Sequence, residues 1–77
     1  MAITEQEIKS LIAKTLDVKI DIIDNELAIG DIPEWDSLAH LRIIMAIEKE
    51  LGIRLEIEET IEIEDVEDII DAVQSHA

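Results

Sequence analysis

The chain of 77 residues has no cysteine, phenylalanine or tyrosine, and only one tryptophan, one proline and two glycines. Without cysteine it can form neither a disulfide framework nor a thiolate metal cluster. That composition fits a reducing compartment. Basic residues are scarce too: six Lys and Arg stand against twenty Asp and Glu, a formal net charge of −14. So acidic a surface repels nucleic acid and anionic membranes and attracts basic partner surfaces. No apolar run approaches the roughly 20 residues of a membrane helix, and the N-terminus has no signal-peptide pattern. The expectation is one soluble, monomeric, cytoplasmic domain over residues 1–77, without nucleic-acid binding or membrane insertion. A domain this small buries only about 60% of its unfolded surface, so its stability should be modest.

Acidity combined with few aromatics can signal disorder. Here 48% of the residues are hydrophobic, mainly Ile, Leu and Val at regular spacing, and that argues for a folded chain. Thr4 followed by Glu7 forms a capping-box signature, and Ile8, Leu11, Ile12 and Leu16 then recur at helical spacing. These predict a first helix over 4–16. Residues 17–36 hold Gly30, Pro33, Asn25 and several Asp, and their length is unusual for a structureless connection. Val18, Ile20, Ile23, Leu27, Ile29 and Ile32 predict that this loop packs across a core. Asp36 can cap a second helix from Ser37 to Leu51, which Gly52 ends.

Residues 53–64 alternate apolar and acidic side chains as a strand would, but the chain offers no convincing partner strand. A short third helix near Ile57–Ile61 is the better reading. Val66, Ile69, Ile70 and Val73 mark a last helix over 64–75. The fold class is therefore all-α: a small four-helix bundle, three longer helices and one short, with a long loop after the first. Nine acidic and no basic side chains over residues 56–71 read as a solvated face. "DVKIDIIDNELA" lacks the glycine and spaced ligands of a calcium loop, so no metal site is expected.

The second helix has apolar side chains to spare. Stepping about 100° per residue from Leu38 places Ile43, Ile47, Leu51 and Ile44 at about 140° to 240°, an ordinary core stripe. Leu41 and Met45 fall at about 300° and 340°, beside Leu38, and Arg42 and Lys49 flank them at about 40° and 20°. This second stripe is either a wider core or a docking surface for partner proteins. Apolar residues rimmed by charge favour docking, and methionine suits a surface that repacks against several partners.

Ser37 opens the helix. It lacks a nucleophile-elbow context. His40, three residues on and facing the core side at about 200°, is badly placed to act as its base. His76 is penultimate and expected to fray. No catalytic residue is expected. A phosphodiester on Ser37 would instead sit where free helix amides and the dipole favour an anion.

Asp36-Ser37-Leu38, opening a helix that reads "DSLAHLRIIMAIEKELGI", resembles the attachment motif of acyl carrier proteins. The resemblance extends over the first helix, the long loop, the acidic 56–65 segment and the closing "VEDIIDAV" helix. It implies that Ser37 carries 4′-phosphopantetheine, transferred from coenzyme A by a Mg²⁺-dependent phosphopantetheinyl transferase that recognises Asp36 and Leu38. The arm's thiol would hold acyl groups as thioesters for acyl-activating, acyl-transferring or condensing enzymes, and the chain itself would catalyse nothing. His40, Ile43, Ile47, Ile63 and Ile69 are the implied liners of an interior that shelters cargo. Trp35, Leu41, Arg42, Met45, Glu48 and Lys49 are the implied docking residues.

The chain also departs from the family pattern. Glu34-Trp35 precedes the Asp-Ser pair where fatty-acid carriers usually have a small residue or glycine-alanine, and Ala39 and Arg42 stand where they usually have acids. Like charges at such a contact are a specificity device, which suggests a specialised carrier for a dedicated lipid, polyketide or polysaccharide-modifying pathway. Trp35 is either a loop anchor or a partner contact. His40 is either packed and hydrogen-bonded or a contact to the arm. An aminoacyl or peptidyl carrier remains open, as does an unmodified helical interaction module in which Ser37 only caps.

Overall fold

The computed structural model describes residues 3–76. Four helices follow in order: α1 (Glu5–Leu16), α2 (Ser37–Leu51), α3 (Ile57–Glu62) and α4 (Val66–His76). A 3₁₀ turn, Ile20–Ile22, interrupts the loop between α1 and α2. The expected all-α bundle is borne out, with three longer helices and one short. The last helix starts at Val66, two residues later than its periodicity suggests, because Asp65 acts as its cap: Asp65 Oδ1 accepts the Asp68 amide at 2.8 Å.

Local chemistry accounts for the other boundaries. At α1 the Thr4 hydroxyl accepts the Glu7 amide at 3.1 Å, while Glu7 Oε1 accepts the Thr4 amide at 3.4 Å, a reciprocal box. Asp17 turns left-handed at φ 58° and ends the helix. At α2, Asp36 Oδ1 accepts the Ala39 amide at 2.8 Å, and Gly52 closes the helix at φ 67°, a conformation glycine adopts without a Cβ penalty. Glu59 does for α3 what Glu7 does for α1, accepting the Glu56 amide at 2.9 Å. This local pairing favours a helix over residues whose alternation alone reads as a strand.

Ile8, Ile12 and Leu16 of α1 meet Ile43, Ile44 and Ile47 of α2 and Val66, Ile69, Ile70 and Val73 of α4 in one core. Trp35, Ile23, Leu55 and Ile63 enter it from the connecting segments. The long loop packs across that core as its spacing predicts, with Val18, Ile20, Leu27, Ile29 and Ile32 half-buried against it. Backbone bonds tie its middle to the start of α4: Ile29 donates to Glu64 at 3.0 Å, Val66 to Leu27 at 2.9 Å and Glu67 to Asn25 at 3.0 Å. The loop therefore delivers Trp35, Asp36 and the first turn of α2 to a fixed place on the bundle. All six residues of α3 are exposed or half-buried, so α3 lies over the core without entering it.

Candidate functional site

The site grows from the N-terminus of α2. Ser37 is exposed in the first turn, and its neighbour Asp36 takes one helix amide as the cap. The other amides of that turn and the helix dipole leave the position favourable to a phosphate. Leu38, Leu41 and Met45 of the second stripe are 60%, 59% and 66% exposed. They are surface, not a wider core. Ile57 and Ile61 of α3, each 74% exposed, add to the apolar surface. The alternating pattern of 53–64 conceals this pair, because their i, i+4 relation emerges only once the segment is helical.

Arg42 and Lys49 lie exposed on α2, as expected of surface residues. Glu48 differs. It is half-buried, and its Oε2 accepts the Leu55 amide at 3.0 Å, fastening the α2–α3 connection back onto α2. Its carboxylate is thus engaged within the bundle instead of standing free for a partner. Beside it, Ile44, Glu48, Ile53, Arg54, Leu55, Ile57 and Thr60 line an open cleft of about 470 Å³ between α2 and α3.

Trp35 corrects the docking set outright. Its side chain is fully buried, so it belongs to the core and offers no surface to a partner. The physical reason is its indole nitrogen, which donates to His40 Nδ1 at 3.2 Å and so enters the interior with its polar group satisfied. The two rings are inclined by 26° with centroids 6.0 Å apart. Since Nδ1 accepts, the neutral His40 ring carries its proton on Nε2. That nitrogen is buried, and the Thr60 backbone of α3 is the polar group beside the ring. Burial pushes the His40 pKa down from the ordinary histidine value, and the Thr60 backbone opposes part of that shift.

Ile43, Ile47, Ile63 and Ile69 are buried among core neighbours. Ile63 also borders a shallow cleft with Glu59, Glu62, Asp68, Asp71, Ala72 and Ser75. His76, expected to fray, ends α4 with its Nε2 2.9 Å from both carboxylate oxygens of Glu59, linking the end of α4 to α3. The Glu56 amide first, and His76 second, hold the Glu59 carboxyl below its usual range.

Comparison with known proteins is consistent across sequence and fold. Residues 6–73 match the family model described as "Phosphopantetheine attachment site". The acyl carrier protein of Buchnera aphidicola subsp. Acyrthosiphon pisum (strain 5A) is 37% identical over 71 residues, covering 92% of this chain and 89% of that protein. The acyl carrier protein of Rickettsia bellii (strain OSU 85-389) is 33% identical over 72 residues, covering 94% and 89%. The solution structure of a holo acyl carrier protein from Geobacter metallireducens superposes with a TM-score of 0.84 at 25% identity, over 95% of this chain and 84% of that one. The chain belongs to the acyl carrier protein family: it is a carrier of covalently attached 4′-phosphopantetheine and not a catalyst.

Proposed function

We propose that Ser37 is the attachment residue and that the carrier serves a dedicated pathway instead of bulk fatty acid synthesis. The observation that carries the first part is the exposed Ser37 in the first turn of α2, directly after its Asp36 cap and before the exposed stripe Leu38, Leu41 and Met45. Loading forms a phosphodiester. The Ser37 oxygen attacks the pyrophosphate of coenzyme A on the pantetheine side, adenosine 3′,5′-bisphosphate leaves, and the serine proton passes to the transferase or solvent. The group attached to Ser37 supplies a thiol that holds acyl cargo as a thioester. The chain's own residues do the rest: Asp36 orders the turn, the α2 amides face the phosphate, and the apolar stripe meets loading and unloading enzymes. Tethering the cargo raises its effective concentration at each partner's active site.

The dedicated-pathway reading rests on Ala39, Arg42 and Lys49. Arg42 and Lys49 place positive charge on the exposed face of α2, in a chain whose net charge is −14. A partner built for a uniformly acidic helix meets like charge there. The aminoacyl-carrier alternative gains no support from Trp35, whose side chain is fully buried. We place the monomeric carrier in the cytoplasm, where coenzyme A and the transferase are available.

Two experiments test these proposals. After loading with coenzyme A, trypsin releases residues 20–42, which hold Ser37 as their only hydroxyl-bearing side chain. Fragmentation is expected to place the added mass on Ser37. Reconstitution with housekeeping fatty-acid enzymes is expected to give much slower elongation than their own carrier gives. Equal rates would contradict a dedicated role.

A further inference from the structure

In a chain with twenty acids and six basic residues, Arg42 stands in the middle of α2 with no acid to pair with. Its neighbours three and four residues away on the helix are Leu38, Ala39, Met45 and Ala46. Among the described residues neither Arg42 nor Lys49 forms an ion pair; the pair present is His76 with Glu59. We propose that an acidic enzyme face reads both cations: the partner that docks on α2 presents two carboxylates about 10 Å apart, matching seven residues of helical rise, with an apolar socket between them. The inference deepens the dedicated-pathway reading and rests on it, and on Ser37 being the attachment residue.

Geometry supports it first. Leu38, Arg42, Met45 and Lys49 follow one another at i, i+4, i+7 and i+11, within an arc of about 60° on the helix. All four are exposed, and apolar and cationic side chains alternate along them. No acid of α2 shares that arc. Glu48 is turned to the Leu55 amide, and Glu50 falls at about 120° from Leu38. The fold itself accounts for Lys49 in part, since it lies in the last turn, where the helix dipole favours a cation. Arg42 lies mid-helix, beyond the dipole's reach. Lys9 and Lys14 of α1 differ again: Glu5 stands four residues before the one and Asp17 three after the other. Arg42 is therefore the stronger of the two determinants.

Charge at two ranges selects the occupant. An extended polyanion, whether nucleic acid or an anionic membrane, meets the whole molecule at −14 and is repelled. A folded protein can meet the arc alone. At 0.1 M ionic strength, exposed charges more than about 10 Å apart are largely screened, whereas a partly buried pair in contact is screened much less. The planar guanidinium of Arg42 matches a carboxylate bidentately. Met45 lies between the two cations and Leu38 beside Arg42, so an apolar contact fits between the paired charges. A basic partner face, the complement of the acids elsewhere on the chain, meets like charge on this arc.

The test uses one housekeeping condensing enzyme with a basic carrier-docking patch, in its natural form and with that patch changed to Glu. The carriers are wild type and the double substitution Arg42→Glu with Lys49→Glu, each loaded to completion with excess transferase and checked by intact mass. Circular dichroism at 222 nm checks that both carriers fold. A free acyl-pantetheine substrate, which needs no docking, establishes that both enzyme forms are active. Acyl transfer is then read as kcat/KM. Wild type is expected to work roughly tenfold better with the Glu-patch enzyme than with the basic one, a factor of about 1.4 kcal/mol, and the double substitution to reverse that order. The preference should shrink as sodium chloride is raised from about 0.05 to 0.5 M. Two outcomes overturn the inference: a wild type that prefers the basic enzyme, or the same preference with both carriers. A wild type that gains no mass would instead overturn the Ser37 assignment, and elongation as fast as with the housekeeping carrier would overturn the dedicated-pathway reading.

Discussion

At the scale of single residues, the Trp35–His40 pair is what the sequence could least disclose. Trp35 sits in an acidic loop stretch and His40 on a helix, and neither periodicity nor composition indicates that one ring donates to the other. Asp36 is the opposite case. Its role as cap follows from residue type and position, and the structure places its carboxylate on the Ala39 amide. Asp36→Ala should lower unfolding stability by about 1 kcal/mol, measured by denaturant titration, as for a lost helix cap. Trp35→Phe should cost about 1–3 kcal/mol even though the aromatic ring is kept, because it leaves His40 Nδ1 as a buried acceptor without its donor. The pH dependence has a definite sign. The folded pKa of His40 lies below its unfolded value of about 6.5, so below that pH the unfolded chain binds more protons. Its contribution is complete above about pH 6.5 and is lost as pH falls through that value toward the folded pKa. Because acid also relieves the repulsion among carboxylates, the measurement is the difference between wild type and His40→Phe. That difference should shrink from pH 7 to pH 5, and a pH-independent difference would contradict the account.

At the scale of elements, α1 and α2 were legible almost to the residue, because capping side chains and a left-handed C-terminal residue bracket each. The start of α4 was less so. Glu64 and Asp65 carry the acidic pattern of a first helical turn, but Asp65 bonds the Asp68 amide as a cap and Ala28 pairs with it across the loop. The two stripes of α2 were distinguishable by angle alone, yet only packing decides that one is core and the other surface. Their energetic signatures should differ sharply. Ile47→Ala, in a fully buried position, should cost about 2–5 kcal/mol by denaturant titration. Met45→Ala and Leu41→Ala, both on the exposed stripe, should stay within about 0.5 kcal/mol of wild type. If the stripe is a docking surface, the same two substitutions slow acyl transfer from loaded carrier to its partner enzyme. Unchanged transfer would place docking elsewhere.

At the scale of the whole molecule, charge governs behaviour. A net charge of −14 on 77 residues makes self-repulsion a global cost to folding, and salt screens it with a Debye length near 10 Å at 0.1 M. The melting temperature should therefore rise as sodium chloride is raised from low salt, as read by circular dichroism at 222 nm. The bundle itself supplies a stable base for one short helix end. The loop, pinned to α4, fixes where Ser37 emerges, and the apolar stripe continues from it along α2. The central claim is that this end is an attachment point and the rest of the molecule its support. It is tested most directly by intact-mass spectrometry after incubating wild type and Ser37→Ala with coenzyme A, Mg²⁺ and a broad-specificity transferase. The account predicts a single phosphopantetheinyl addition to wild type and none to Ser37→Ala. An unmodified wild type across several transferases, or an addition that survives in Ser37→Ala, would contradict it.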